Sequence, residues 1–390
     1  MKPPRTLAVL VGNGLSTAFN PDLTIPRINT EIVNRLNFPG TGGTTQARVM
    51  QQVAQNLGQG SGDPYSDFEA LLGPFDQQSD SLKMLRQLAD LAGPHSLLVG
   101  NALTLSAQFI DELRRYGVGH ALDIIATRSR AEQHLIGKVH AFITNVVMSA
   151  NGGRITFGNL NYDSLIMAAL CELYGPDLCD MTDGRFATEM HEVVPGIGYS
   201  IPGKPLRVVG DYPNRTITLL HLHGSLTWLR MPGTTGPQGI YRFDLGPLRT
   251  VDYWTAWREG RTSWSPEVVL TNQTTKDTLV KDYPFSLAYD SFYNRLLTAD
   301  RWLVVGYSFR DGCVNELMAR AWAHRKAAPP VMVVTKGKGP TDDEVLTALG
   351  FDADVDPLPS HWLHTWRGGL ESAPASGAWA TWTAQTASAA

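Results

Sequence analysis

The chain has 390 residues, 43% of them hydrophobic, and a formal net charge of −4 at pH 7. That is enough apolar material for one large globular domain or two smaller ones. Charge of both signs is spread along the chain and no apolar run reaches transmembrane length, so direct nucleic-acid binding and membrane association are not expected.

Lys2 and Arg5 precede an apolar run that stops at Gly12, too short for the apolar region of a signal peptide. Residues 6–11 are therefore read as a first strand, and 12–16 as a glycine-containing turn. Pro21 and Pro26 predict a loop near the site, with Arg27 as a candidate phosphate contact. From 28 to 150 apolar residues recur at spacings of three and four, which predicts helices over 30–36, 45–57, 67–72, 81–91, 102–116 and 131–148. Thr30 is placed as the cap of the first, and Ser66 with Glu69 reads as a capping pattern.

Strands then alternate with helices. Strands are expected at 154–157, 207–209, 216–222, 267–271, 302–305 and 330–335, and helices at 164–174, 285–299 and 312–325. This pattern predicts an α/β fold, a Rossmann-like, doubly wound, mainly parallel sheet with a large helical insertion. The expected division is a core of 1–27 with 151–345, a helical module of 28–150, and a C-terminal extension of 346–390. From 371 the composition of Ala, Ser, Thr, Gly and Trp predicts a frayed tail, with Trp379 and Trp382 as candidate partner contacts.

Four strand ends carry polar tips. They are Gly12-Asn13-Gly14-Leu15-Ser16, Asn161-Tyr162-Asp163, Leu222-His223-Gly224-Ser225 and Gly306-Tyr307-Ser308-Phe309. In open α/β sheets ligands bind at the carboxyl ends of the strands. Gly12 and Gly14 suit either a tight strand-to-helix turn or a backbone that approaches a pyrophosphate, and Ser16 either a cap or a phosphate donor. Asp163 suits a helix cap. His223, next to Gly224 at the tip, is a candidate general base, because imidazole accepts a proton at neutral pH. His221, inside the apolar run, is assigned to the pocket wall. Gly306 and Ser308 suit a turn or a ligand contact, and Asn315 faces either the site or solvent. Cys171, Cys179 and Cys313 are too few for a disulfide framework or a four-cysteine zinc site, and suit a reducing cytoplasm.

In this order the four tips resemble the SIR2-like family, the sirtuin fold. The glycine loop at 12–16, Asn161-Tyr162-Asp163, Leu222-His223-Gly224 and Gly306-Tyr307-Ser308-Phe309, with Asp311 and Asn315 beyond, each match a motif of that family. The resemblance covers 6–16 and about 154–335. It implies NAD⁺ as substrate, with Asn161 beside the nicotinamide ribose, His223 as catalytic base, and Gly306 and Ser308 against the adenosine half. Asn13, Asp163 and Thr335 complete the implied dinucleotide contacts. Deacetylase sirtuins carry two Cys-x-x-Cys pairs that hold zinc, and this chain has none. The resemblance is thus to the zinc-free bacterial branch, whose members are NAD-consuming effectors of antiviral defence that work as oligomers or with a sensor partner. The expected activity is NAD⁺ glycohydrolysis. The alternatives are a non-catalytic NAD⁺ or ADP-ribose-binding signalling module, and an NAD-dependent protein deacylase.

Overall fold

Apolar runs bounded by glycine or polar residues become the strands of one parallel sheet. The computed structural model describes residues 3–37, 48–49, 68–93, 96–129, 133–182, 189–207, 215–236, 238–270, 273–351, 361–385 and 388–389. Strand β1 (Leu7–Val11) leads into α1 (Asn13–Phe19), a 3-10 turn (Pro21–Leu23) and α2 (Ile25–Asn37). Helices α3 (Phe68–Leu91), α4 (Leu97–Arg128) and α5 (Gln133–Ser149) precede β2 (Ile155–Asn159) and α6 (Leu165–Tyr174). Next come β3 (Leu178–Cys179), β4 (Glu189–His191), β5 (Ile201–Pro205), β6 (Ile217–His221), β7 (Gly224–Arg230) and β8 (Ile240–Phe243). Helices α7 (Leu245–Thr250) and α8 (Tyr253–Arg258), β9 (Ser265–Val268), α9 (Gln273–Leu279) and α10 (Phe285–Thr298) follow. The chain continues through β10 (Arg301–Val305), α11 (Gly312–Ala323), β11 (Ala327–Ala328), β12 (Val331–Val334) and α12 (Asp342–Ala348). It closes with β13 (Leu363–Trp366), α13 (Gly377–Ala384) and β14 (Ser388–Ala389).

The main sheet has seven strands in the order β13-β12-β10-β1-β2-β6-β3, and every pairing is parallel. Parallel sheets are covered on both faces, so their strands read as unbroken apolar runs. Accordingly β1, β2, β10 and β12 are buried at every position. Each large apolar side chain buried there contributes about 1.5–3 kcal/mol. The fold is α/β and Rossmann-like, as the alternating pattern predicts.

Register places the functional tips side by side. Val11 lies opposite both Val305 and Asn159, and Asn159 lies opposite His221. The loops after β10, β1, β2 and β6 therefore leave one edge of the sheet. From β1 the chain builds outward through β2 and β6, and from β10 it builds the other way through β12 and β13. The switch point thus falls between β1 and β10.

A second sheet, β4-β5-β8-β7-β9, is antiparallel. Strand β6 of the first sheet passes into β7 of the second through Leu222 and His223 alone. His223 is therefore the corner between the two sheets. Gly224 has φ +81, and a Cβ there would lie 2.1 Å from Glu267 O, so only glycine allows β9 to close against the corner.

Several expectations are corrected. The 21–27 stretch is a 3-10 turn followed by the start of α2, not a loop, and Thr30 lies inside α2, where its Oγ1 donates to Pro26 O. The 102–116 helix is part of the longer α4, which runs through Gly117 and Gly119. A Cβ at Gly119 would lie 2.4 Å from Arg258 Cγ, so that glycine admits α8 rather than breaking the helix. Helix α3 likewise unites the pieces expected at 67–72 and 81–91. In place of the expected 207–209 strand, Leu206 bridges Thr182, and residues 208 and 209 lie outside the described residues, as do the cap at Ser66 and most of 45–57.

The tail expected to fray is instead helical over 377–384. Trp382 is fully buried there and donates to Pro330 O, while the Arg301 guanidinium sits 5.7 Å from its ring and donates to Thr383 O. Trp379 packs on Phe142 and Trp382, so both tryptophans face the interior. Residues beyond 345 also supply β13 to the main sheet.

Candidate active site at the strand tips

On the β1–β10 side the loops touch through backbone. Gly14 N donates to Gly306 O at 2.8 Å, and Leu15 N donates to Gly12 O at 3.0 Å. A Cβ at Gly14 would lie 2.5 Å from Gly306 Cα, and one at Gly12 would lie 2.7 Å from Gly306 O. Gly306 itself has φ +59, the left-handed region that favours glycine. The three glycines thus let two strand-end loops meet at the switch point. Asn13 is half-buried at the first position of α1.

Asn161, Ser16 and Asp163 form one buried network. Asn161 Nδ2 donates to Ser16 Oγ at 2.8 Å and to Gly12 O at 3.1 Å, while Ser16 Oγ donates to Asp163 Oδ2 at 2.6 Å. The other Asp163 oxygen accepts from Leu165 N at 3.0 Å, so this residue both turns the chain into α6 and ends the network. Burial pushes the Asp163 carboxyl up from its ordinary value, against the Ser16 and Leu165 hydrogen bonds. Asn159 holds the tip in shape, since its Oδ1 accepts from Asn161 N and its Nδ2 donates to Asn161 O. Asn161 and Ser16 thus stand together, as their sequence positions after neighbouring strands imply.

His223 stands at the neighbouring tip after β6, buried beside a carboxylate that the sequence alone did not assign to it. Its Nε2 lies 3.2 Å from Asp311 Oδ2, and the same oxygen accepts from Lys276 Nζ at 2.9 Å. All three side chains are nearly closed off, at 6%, 10% and 5% exposure for His223, Asp311 and Lys276. Burial raises the Asp311 carboxyl, but the facing imidazole and ammonium outweigh burial and hold it well below the usual carboxylate range. Asp311 Oδ1 accepts from Val314 N at 3.2 Å and caps α11. Val269 joins the two tips: its N donates to His223 O at 2.9 Å, and its O accepts from Tyr162 Oη at 2.5 Å.

His221 separates from His223 as the apolar run suggested. It is sealed against Trp228, with ring centroids 5.2 Å apart. Burial, with help from Arg242 and against Asp180, lowers it to about 4, so it is a neutral wall residue.

The remaining expected contacts are spread more widely. Ser308 is exposed at the tip after β10. Thr335 ends β12, and its Oγ1 donates to Gly339 O at 3.0 Å. Asn315 faces the protein, where its Oδ1 accepts from Tyr307 Oη at 2.7 Å and its Nδ2 donates to Phe309 O at 2.9 Å. It thereby pins Phe309 in a left-handed conformation with φ 57. Arg27 pairs with Asp22 on the surface. An open cleft of about 550 Å³ lies against α11 and α12 and includes Phe309 and Asn315, but neither Asn161 nor His223 lines it. Among the described residues no group of three or more His, Cys, Asp or Glu side chains is placed to hold a metal ion. No helix there is long and apolar enough to cross a membrane.

A family model described as SIR2-like domain matches residues 156–353, just over half of the chain. No curated protein matches the chain significantly. The matched span runs from β2 through α12 and so contains Asn161, His223, Gly306 and Asp311. The chain belongs to the SIR2-like family.

Proposed function

With membership of the SIR2-like family as premise, we propose that the chain is an NAD⁺ nucleosidase that hydrolyses NAD⁺ to nicotinamide and ADP-ribose. The observation that carries this reading is the placement of Asn161 and His223 after adjacent parallel strands of the edge where such sheets bind ligands, with His223 backed by an ionised carboxylate.

The chemistry is within reach of these groups. Nicotinamide leaves from a bond whose nitrogen is already cationic, so the bonding electron pair neutralises the ring as it departs. The ribose C1′ then develops oxocarbenium character. Water adds to C1′ and gives up a proton, which His223 accepts, a step worth about 10²- to 10⁴-fold in rate. Asn161 offers an uncharged amide to hold a ribose hydroxyl or that water. In the same proposal Gly12, Asn13, Gly14, Ser16 and Asp163 line the dinucleotide near its phosphates and nicotinamide ribose. Gly306, Ser308 and Thr335 take the adenosine half.

The biological role proposed with this activity is a cytoplasmic effector of antiviral defence that drains NAD⁺ when switched on by self-assembly or a sensor partner. One observation favours a silent resting form: the amides of Gly14 and Leu15, and both donor contacts of Asn161 Nδ2, are engaged within the protein. A partner that stabilises a minor open conformer would release them. The same contacts favour, as a second reading, a module that binds NAD⁺ or ADP-ribose without cleaving it. Nicotinamide release from NAD⁺, measured with and without the products of neighbouring genes, decides between the two. Release supports the nucleosidase, whereas tight calorimetric binding without release in either condition selects the binding module.

A further inference from the structure

We propose that Asp311 is the positioning residue for His223, holding the imidazole in the Nε2–H tautomer so that Nδ1 is the nitrogen that accepts the proton. The catalytic half of this statement rests on the nucleosidase reading, and the tautomer half stands without it.

Nε2 of His223 faces a carboxylate. That nitrogen is sealed from solvent, and Asp311 Oδ2 stands 3.2 Å away. An unprotonated Nε2 would set a lone pair against a carboxylate, with no water to separate them. Placing the proton on Nε2 turns this repulsion into attraction, and a neutral imidazole then has its lone pair on Nδ1. The contact falls short of an aligned hydrogen bond, so the carboxylate acts on the N–H chiefly as a nearby charge. Contacts of this kind tighten when substrate fills a site.

Asp311 is built to act on His223 without moving. Its Oδ1 is fixed by Val314 N at the start of α11, and its carbonyl accepts from Tyr307 Oη at 3.1 Å. Lys276, buried on α9, supplies the cation that keeps the carboxylate ionised. The other titratable groups around it are Asp277 on α9, Tyr289 on α10, Tyr307 after β10, Cys313 on α11 and Tyr162 after β2. Burial pushes Tyr289, Tyr307 and the Cys313 thiol up, so they stay neutral. Asp311 is thus the carboxylate in direct contact with the ring, and Lys276 acts on the ring through it.

The test uses the full chain with nitrogen-labelled histidine, and His223→Gln to identify the signal. NMR of the imidazole nitrogens in the unliganded protein is expected to show His223 with its proton on Nε2, and Asp311→Asn to shift that tautomer population. Asn retains the helix cap, which favours folding of the variant. In nicotinamide release from NAD⁺, Asp311→Asn is expected to lower kcat about 100-fold with KM changed less than about threefold. A merely structural role would leave the tautomer population in place. An Nδ1–H tautomer in the unaltered protein overturns the proposal, even if Asp311→Asn does not fold. So does a tautomer population that Asp311→Asn leaves unchanged. If the unaltered chain releases no nicotinamide with or without the products of neighbouring genes, the nucleosidase reading fails while the tautomer measurement still decides the role of Asp311.

Discussion

The two flanks of the strand-tip edge solve the same problem in different ways. On the β1–β10 flank, Gly12, Gly14 and Gly306 bring backbone against backbone, and no side chain intervenes. On the β2–β6 flank, side chains do the joining: Asn161 to Ser16 to Asp163, and His223 to Asp311 to Lys276. The first flank fixes shape and tolerates nothing larger than glycine. The second fixes charge and proton positions, so it tolerates changes of shape better than changes of chemistry. Stability and catalysis are therefore expected to respond to different substitutions a few ångströms apart.

The largest effect on folding is expected at the glycine flank. Gly14→Val places a Cβ 2.5 Å from Gly306 Cα, where neither backbone can withdraw. The expected loss is more than about 3 kcal/mol of stability in chemical denaturation. An unchanged midpoint would show that the loops are not locked together, and the contrast between flanks would fail.

The side-chain flank is expected to respond in the opposite sense. His223→Ala should keep the fold and lower NAD⁺ turnover by about 10²- to 10⁴-fold. If turnover survives while stability collapses, the histidine belongs to the structural flank instead.

A third effect separates the two neighbouring histidines. His221 is held to about 4 by burial, below the roughly 6.5 of an exposed histidine. As pH falls through that window the unfolded chain takes up the proton first. Stability that is full above pH ~6.5 is therefore lost toward pH ~4, by something of the order of 2–3 kcal/mol. His120, which burial and the nearby Arg258 and Arg35 hold to about 3, adds a loss that reaches lower. His221→Phe should remove its share and flatten stability between pH ~6.5 and ~4, with little effect on the activity ratio between His223 variants. The smallest effect is expected at Ser308, which is exposed. Ser308→Ala should change stability by less than about 0.5 kcal/mol, and any clear rise in KM for NAD⁺ would mark a ligand contact.

What could be read from the sequence follows from this division. The parallel strands were legible because burial on both faces leaves unbroken apolar runs such as Leu7–Val11 and Val331–Val334. The tips were legible because each run stops at glycine or asparagine. The antiparallel sheet was largely hidden, since β4, β5 and β8 are short and lie among prolines and glycines, where alternation has no length to show itself. Helix α4 was cut short because Gly117 and Gly119 look like breakers until α8 is seen against Gly119. Asp311 was visible as a residue beyond the Gly306 tip, and its Oδ1 caps α11. Its other oxygen, on His223, depends on how the loop after β10 folds back, which no local pattern encodes. Lys276 carries no motif at all, and only its burial against Asp311 identifies it.

Asn161 and His223 together carry the proposed cleavage of NAD⁺. Nicotinamide release from NAD⁺ by the purified chain, with the products of neighbouring genes present, tests it most directly when Asn161→Ala and His223→Ala are run beside the unaltered protein. The expected result is release that falls by about 100-fold or more in each variant while both remain folded. Equal release by all three proteins would contradict it.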